Sequence, residues 1–326
     1  MMKQAMFFNA LPEKKVQCIL CPNYCWLDEG DIGRCRGRGN TNGTMMLLNY
    51  GKVAAINIDP IEKKPLYHYY PGSQVLSLGA NSCNLACNFC QNFEISQRQC
   101  QTSSMAPEEL VQKALQHRLN LVAFTYTEPF TWYEYIYDCS PKLKERDIKT
   151  ILVTNGYVNY EPLMQIIPYI DAMNIDLKSM QNSFYKEICC GNLDPVLRTI
   201  EIAAKHSHIE ITNLVIPELN DNRNYINQLI DFISGINPDI PVHFSKYFPK
   251  YHSKQQETDN SLLLDIYNIA RQKLSYVYLG NIAFHNHTYC PNCGMLLIKR
   301  SPLSVQRLAI KDSSCDNCGY SIYGDF

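Results

Sequence analysis

The sequence predicts an α/β protein: a partial (β/α)6 barrel carrying small cysteine-rich extensions at both ends. Two observations lead there. Between residues 75 and 279, short apolar runs alternate with segments of helical period, the pattern of parallel strands joined by right-handed crossovers. Outside that stretch, cysteines gather into two sets, one before it and one after it. The alternation begins with the run Val75–Leu78, then the helix Pro107–His117, whose proline suits a first turn. Strand Leu121–Thr125, helix Phe130–Tyr137, strand Lys149–Thr154 and helix Glu161–Ile167 follow. Next come strand Ala172–Leu177, helix Pro195–Lys205, strand Ile209–Ile216 and helix Asn222–Ile233. Strand Val242–Ser245, helix Leu262–Lys273 and strand Tyr276–Leu279 complete the series. These units are too few to close an eight-fold barrel, so one side is expected to stay open. The division expected is a cysteine-rich extension at 1–70, the barrel at 71–285 and a ribbon-like domain at 286–326.

Composition narrows the function classes. A chain of 326 residues with 46% hydrophobic content can bury a large core. Its net charge of −1 gives no overall pull toward polyanions, so long nucleic acid is not expected as a partner. No apolar stretch is long enough to span a membrane, and the opening Met1–Phe8 run is too short for export. Fifteen cysteines in such a chain point to the reducing cytoplasm and to metal ligation rather than disulfides.

The cysteines sort by spacing. Cys290, Cys293, Cys315 and Cys318 form two CxxCG knuckles, a zinc-ribbon signature in which each turn sets two sulfurs on one side. Cys18, Cys21, Cys25 and Cys35 are less regular and suit zinc or an iron–sulfur cluster, with zinc preferred. Cys100, Cys139, Cys189 and Cys190 fit no spacing and read as small buried hydrophobes. Cys83, Cys87 and Cys90 form CxxxCxxC directly after the first strand. Three thiolates are one short of what a cubane cluster takes, which leaves one iron open to an outside ligand such as S-adenosylmethionine. A zinc knuckle with a distant fourth ligand is the bland alternative.

With Phe89 ahead of the third cysteine, this motif resembles that of the radical SAM superfamily. The stretches DPIEKKPLYHYYPGS, CNLACNFCQNFEISQ, FTYTEPFTWYEY, VTNGY, NIDLKS, YVYLGN and CPNCG resemble the AmmeMemoRadiSam group, relatives of pyruvate formate-lyase activating enzyme. The resemblance implies a [4Fe–4S] cluster, S-adenosylmethionine as cofactor and a flavodoxin- or ferredoxin-type electron donor. It carries the GGEP loop onto Tyr126-Thr127-Glu128-Pro129, with tyrosine and threonine replacing the glycines. Thr154 and Asn155 fall where the family's loop approaches the ribose, and Asp176 and Lys178 fall on its DLK motif, whose lysine holds the methionine carboxylate. Strand alternation sets Asp176 and Lys178 on one side, at a strand end facing the barrel mouth. Ser82 and Lys246 depart from the glycine and arginine usual in the group. Lysine lacks the planar fork of arginine, so inherited substrate assignment is weakened there.

Substrate-contacting residues are expected among Glu62, Lys64, His68, His243 and Lys246, with His243 also a candidate at the cofactor. The alternative for Asp59 to His68 is a solvated linker, since mixed charge and proline run through it. The substrate expected is a small molecule of nucleoside type. Queuine lyase, which releases queuine from queuosine, is similar in architecture, and some of the 22 tyrosines offer stacking faces for a base. The alternatives are an activase that makes a glycyl radical on a partner enzyme, or a zinc-scaffold binding protein without catalysis.

Overall fold

The computed structural model describes residues 3–301 and 304–326. Its centre is one eight-stranded sheet. Strand β1 (Ala55–Pro60) and β2 (Gln74–Gly79) pair antiparallel. From β2 onward every neighbour is parallel: β3 (Leu121–Phe124), β4 (Lys149–Thr154), β5 (Ala172–Asp176), β6 (His208–Val215), β7 (Val242–Lys246) and β8 (Val277–Gly280). Spatial order follows chain order, with β1 and β8 at opposite edges, so the barrel stays open as the element count requires. Leu121 to Phe124 are buried on both faces, which is why this strand reads as a continuous apolar run rather than an alternation.

Helices α1 (Pro107–Gln116), α2 (Tyr133–Lys144), α3 (Tyr160–Ile166), α4 (Asp194–Ala203), α5 (Arg223–Ile236) and α6 (Asn260–Ala270) are the crossovers. Helix α5 shows why: Ile226, Leu229, Ile230 and Ile233 recur at helical spacing and are all buried. The helix expected from Phe130 starts later. Pro129–Trp132 forms a tighter turn, its Phe130 N–H taken by the Glu128 carboxylate at 2.9 Å, and α2 then continues through Pro141.

The segment before the barrel departs from expectation. Residues 55–60 form the edge strand β1, and the stretch that follows is not a solvated linker. Ile61, Lys64, Leu66 and His68 are all buried there. Their polar groups are satisfied one by one: Lys64 by Asp59 at 2.8 Å, and His68 by the barrel and the tail together. Ahead of it, small antiparallel sheets carry the first four cysteines, and Arg38 is anchored by a buried ion pair to Glu134 of α2 at 2.6 Å. The tail packs its Leu297, Ile298 and Ile322 against Tyr276 and Tyr278 at the β8 edge. Among the described residues, no helix is long and apolar enough to cross a membrane.

Candidate functional site

A cavity of about 300 Å³ opens at the carboxyl ends of the parallel strands, where barrel enzymes build their sites. One wall is the loop after β2, which brings Cys83, Cys87, Phe89 and Cys90 to it. The loops after β3, β4 and β5 add Tyr126 and Thr127, then Asn155, then Asp176 and Lys178. Residues distant in sequence thus meet as the motif order foretells. Thr212, Ser245 and Asn281 from the later strands also border it.

The cysteine loop is held from three directions. Ala86 and Asn88 donate their N–H groups to the carbonyls of Cys189 and Ile188, at 2.9 and 3.1 Å. Asn155 donates to Asn84 Oδ1 at 3.0 Å and lies 3.9 Å from Cys83 Sγ. The Cys90 sulfur lies 3.0 Å from the Ser96 hydroxyl. Burial pushes the Cys83 and Cys90 thiols up. The Cys87 thiol is held down, first by a hydrogen bond from Cys189 and then, against burial, by the Lys178 ammonium. Burial lowers the Lys178 amine, but Asp176, Cys87 and Cys189 outweigh it and hold the amine well above its ordinary value. The donor set therefore suits a metal cluster: three thiols at one wall of a cavity, with a half-buried cation beside them to offset thiolate charge.

Glu128 sits elsewhere than at the cavity wall. It is fully buried and accepts from Phe130 N–H, Thr154 Oγ1 at 2.7 Å and Asn155 N–H at 2.8 Å. It braces the loops after β3 and β4, so Thr154 and Glu128 serve the cavity by positioning Asn155. Burial raises the Glu128 carboxyl to about 7 against those three donors. Tyr126 has φ = +72°, a left-handed conformation that explains why glycine suits this position. Its hydroxyl donates to Asp59 at 3.1 Å, and the Lys64 ammonium lies 4.7 Å from its ring centre. Lys64 is thus one layer behind the wall, held between Asp59 and Tyr126.

The other expected substrate residues do not line this cavity. Lys246 projects to the opposite side of β7 from Ser245 and pairs with Glu257 at 3.2 Å. Glu62 accepts from Gly72 N–H at 2.9 Å and, with Arg300, borders a separate depression of about 640 Å³ beneath the tail. His243 lies two residues deeper than Ser245 on the same face of β7 and meets Glu210 at 2.6 Å. Both side chains lie on the inward face of β7, and depth along the strand separates the wall residue Ser245 from the core residue His243. Ser245 carried that strand-end signal, whereas Thr212 and Asn281 had none in sequence.

Glu210 also accepts the His68 N–H at 2.7 Å and meets His208 at 3.2 Å, so three histidines converge on one buried carboxylate. His68 Nδ1 faces the Tyr323 carbonyl at 2.7 Å and must donate to it. With the ring neutral, Nε2 accepts from the Tyr278 hydroxyl at 2.6 Å. Burial lowers the His68 pKa to about 3. The unfolded chain therefore binds the extra proton first, and stability falls as pH drops below about 6.5. Between pH 6.5 and 5 we expect urea unfolding to report a loss of about 2 kcal/mol from His68. A flat profile over that range would reject a buried neutral His68.

In the tail, Cys290, Cys293, Cys315 and Cys318 bring their sulfurs within 4.8 Å of one another, with Cys290–Cys318 at 3.6 Å and Cys293–Cys315 at 3.7 Å. Tetrahedral bonds of ~2.3 Å to a single ion set sulfurs about 3.8 Å apart, so the four thiols fit one metal ion.

Comparison with known proteins gives this geometry a family. The model of the radical SAM superfamily matches residues 78–233, the span from the end of β2 into α5. The uncharacterized protein MJ0808 of Methanocaldococcus jannaschii is 40% identical over 98% of this chain and 99% of its own length. The 4-hydroxyphenylacetate decarboxylase activating enzyme of Clostridium scatologenes is 25% identical over 49% of this chain, which spans about half (53%) of that relative. The crystal structure of a radical SAM methyltransferase from Sphaerobacter thermophilus covers 65% of this chain and 67% of its own, with a TM-score of 0.52 and 13% identity, a likeness of fold alone. The CxxxCxxC of Cys83, Cys87 and Cys90 lies inside the matched span and at the mouth of the partial barrel, and the chain belongs to the radical SAM superfamily.

Proposed function

We propose that this protein is a [4Fe–4S] radical SAM enzyme that removes a hydrogen from a small nucleoside-type substrate, with queuosine, and release of its base queuine, as the reaction to test. When bound, the cluster and S-adenosylmethionine supply a one-electron reduction that yields a 5′-deoxyadenosyl radical. Cys83, Cys87 and Cys90 would ligate the cluster. Lys178 would hold the methionine carboxylate, with Asp176 keeping its ammonium in place. Asn155 and Thr127 offer polar contacts to the cofactor, and Tyr126 and Phe89 offer ring faces. Ser245, Thr212 and Asn281 are left for the substrate.

The observation that carries a small substrate is the size of the cavity, about 300 Å³, beside which a further segment packs on the cysteine loop. The segment after β7 folds over the cysteine loop: His252 donates its N–H to the Asn88 carbonyl at 2.8 Å, and Gln91 reaches the Phe248 carbonyl at 3.1 Å. Tyr251 stacks on Phe93 at 4.9 Å. A cavity of this size suits a nucleoside better than a folded protein loop. The half-length similarity to an activating enzyme favours a second reading, glycyl-radical formation on a partner. With strong reductant and S-adenosylmethionine, queuosine should give 5′-deoxyadenosine and free queuine together, and ribose deuterium should appear in the 5′-deoxyadenosine. Cofactor cleavage without base release, alongside a glycyl radical on a partner enzyme, would move the assignment to activase. Fifteen free cysteines support a cytoplasmic setting, where a flavodoxin- or ferredoxin-type donor would supply the electron.

Two results bear on the cofactors. Lys178→Ala should weaken S-adenosylmethionine binding by about 1.5–3 kcal/mol, the range for hydrogen bonds to charged groups. Unchanged affinity by calorimetry would remove Lys178 from that role. The tail should carry about one zinc per chain, and Cys293→Ser should lower thermal stability more than cofactor cleavage. Iron with a rubredoxin-like absorption spectrum at these four sulfurs would speak against zinc.

A further inference from the structure

The first four cysteines converge, although the function described above gives them nothing to do. Val16–Cys18 and Trp26–Leu27 form a hairpin. Cys18 donates its N–H to the Cys25 carbonyl at 2.9 Å, so those two face each other across its loop. Cys21 lies within that loop, and Tyr24 closes a turn on the Cys21 carbonyl at 3.2 Å. Cys35 arrives on the next turn, whose Gly33 packs beside the Cys25 sulfur. The four are electrostatic neighbours: Cys18, Cys25 and Cys35 each act on Cys21.

Their spacing differs from that of the tail. Among the described residues, the tail set alone brings three or more ligand atoms within 4.8 Å of one another. Neither Cys18, Cys21, Cys25 and Cys35 nor the catalytic Cys83, Cys87 and Cys90 are drawn in so tightly. A single ion needs its sulfurs about 3.8 Å apart, whereas a polynuclear cluster binds each sulfur through a different iron and spreads them. A cation is also in place. Arg38 is buried and paired with Glu134, its guanidinium still acts on Cys18 and Cys35, and its Nε has no protein partner. Four thiolates saturate a cubane and leave no open iron, which suits electron transfer rather than substrate chemistry.

Position completes the case. Asn23, two residues past Cys21, donates to the Asn84 carbonyl at 2.7 Å, and Asn84 directly follows Cys83. Asn159 donates its N–H to Leu20 at 3.1 Å and its side chain to Ile19 at 2.8 Å, pinning the same loop against the barrel. The set therefore backs directly onto the catalytic cysteine loop. We propose that Cys18, Cys21, Cys25 and Cys35 hold a second iron–sulfur cluster that passes one electron to the cluster on Cys83, Cys87 and Cys90. An external one-electron donor protein of flavodoxin or ferredoxin type re-reduces it, so each electron delivered is replaced. The relay rests on the radical SAM reading; the metal content does not.

The test uses the full chain, reconstituted anaerobically with iron and sulfide. Wild type should carry about eight irons, and the Cys83→Ala/Cys87→Ala/Cys90→Ala variant about four, with a reduced-state paramagnetic signal that S-adenosylmethionine leaves unchanged. Cys18→Ser/Cys21→Ser should lose about half the iron and keep the signal that responds to S-adenosylmethionine. In that variant, reduction of the catalytic cluster by flavodoxin should slow several-fold, while reduction by dithionite should not. An iron-free triple variant holding two zinc ions per chain would overturn the second cluster, even if Cys18→Ser/Cys21→Ser fails to fold. Flavodoxin reduction at the wild-type rate would overturn the relay. Loss of the S-adenosylmethionine response in wild type would instead count against the proposed function.

Discussion

Cys87→Ala should reduce S-adenosylmethionine cleavage to background in anaerobically reconstituted protein, the largest change in activity expected of any single substitution. Cys87 is the buried member of the triad and the one that feels both the Cys189 thiol and the Lys178 ammonium. Removing it leaves two thiolates for a cluster that needs three from this chain, and leaves Lys178 with one fewer negative neighbour. The fold should survive, because the cysteine loop is held through backbone N–H groups of Ala86 and Asn88 rather than through the sulfur. Iron content, the visible spectrum and the yield of 5′-deoxyadenosine should fall together while the circular dichroism stays put. Wild-type cleavage by this variant would sink the assignment of the triad.

Much of this was legible in the sequence because the barrel repeats one physical unit. Apolar runs such as Leu121–Phe124 are buried on both faces, and amphipathic helices such as α5 have one buried stripe; each leaves its own period. Motifs at strand ends could be placed on the mouth for the same reason, and Tyr126, Asn155, Asp176 and Lys178 line one cavity. What was not legible depends on long-range partners. Lys64 reads as solvated until Asp59 and the Tyr126 ring are folded against it. Nothing in the sequence pairs Glu128 with Thr154 and Asn155, which donate to its carboxylate across two loops. Sequence alternation fixes which face of β7 His243 occupies, but its depth depends on Glu210 of the neighbouring strand.

Glu210→Ala should destabilise the protein by about 3–5 kcal/mol, the cost of breaking a buried charged pair by deleting one side. Glu210 is fully buried, and hydrogen-bonded donors hold its carboxyl well below the usual range despite that burial. Its loss leaves the His68 N–H, His208 and His243 without the carboxylate they share. The damage should spread to the tail. Arg300 donates to Thr288 at 2.7 Å, Thr288 meets Tyr278 at 2.7 Å, and Tyr278 donates to His68, whose ring donates on to Tyr323. Glu210 therefore joins the pre-barrel segment, β6, β7 and the C-terminal ribbon through one carboxylate. Glu210→Gln, which keeps the volume and one acceptor, should cost less than Glu210→Ala. Urea unfolding followed by circular dichroism checks both. The same measurement decides what His243 is for. If His243 contacts substrate, His243→Ala lowers turnover and leaves the unfolding midpoint alone. If it is the partner of Glu210, as the 2.6 Å contact indicates, the midpoint falls first. A Glu210→Ala variant within about 1 kcal/mol of wild type would show that the three histidines find water or other partners, and that the carboxylate does not hold the barrel to its extensions.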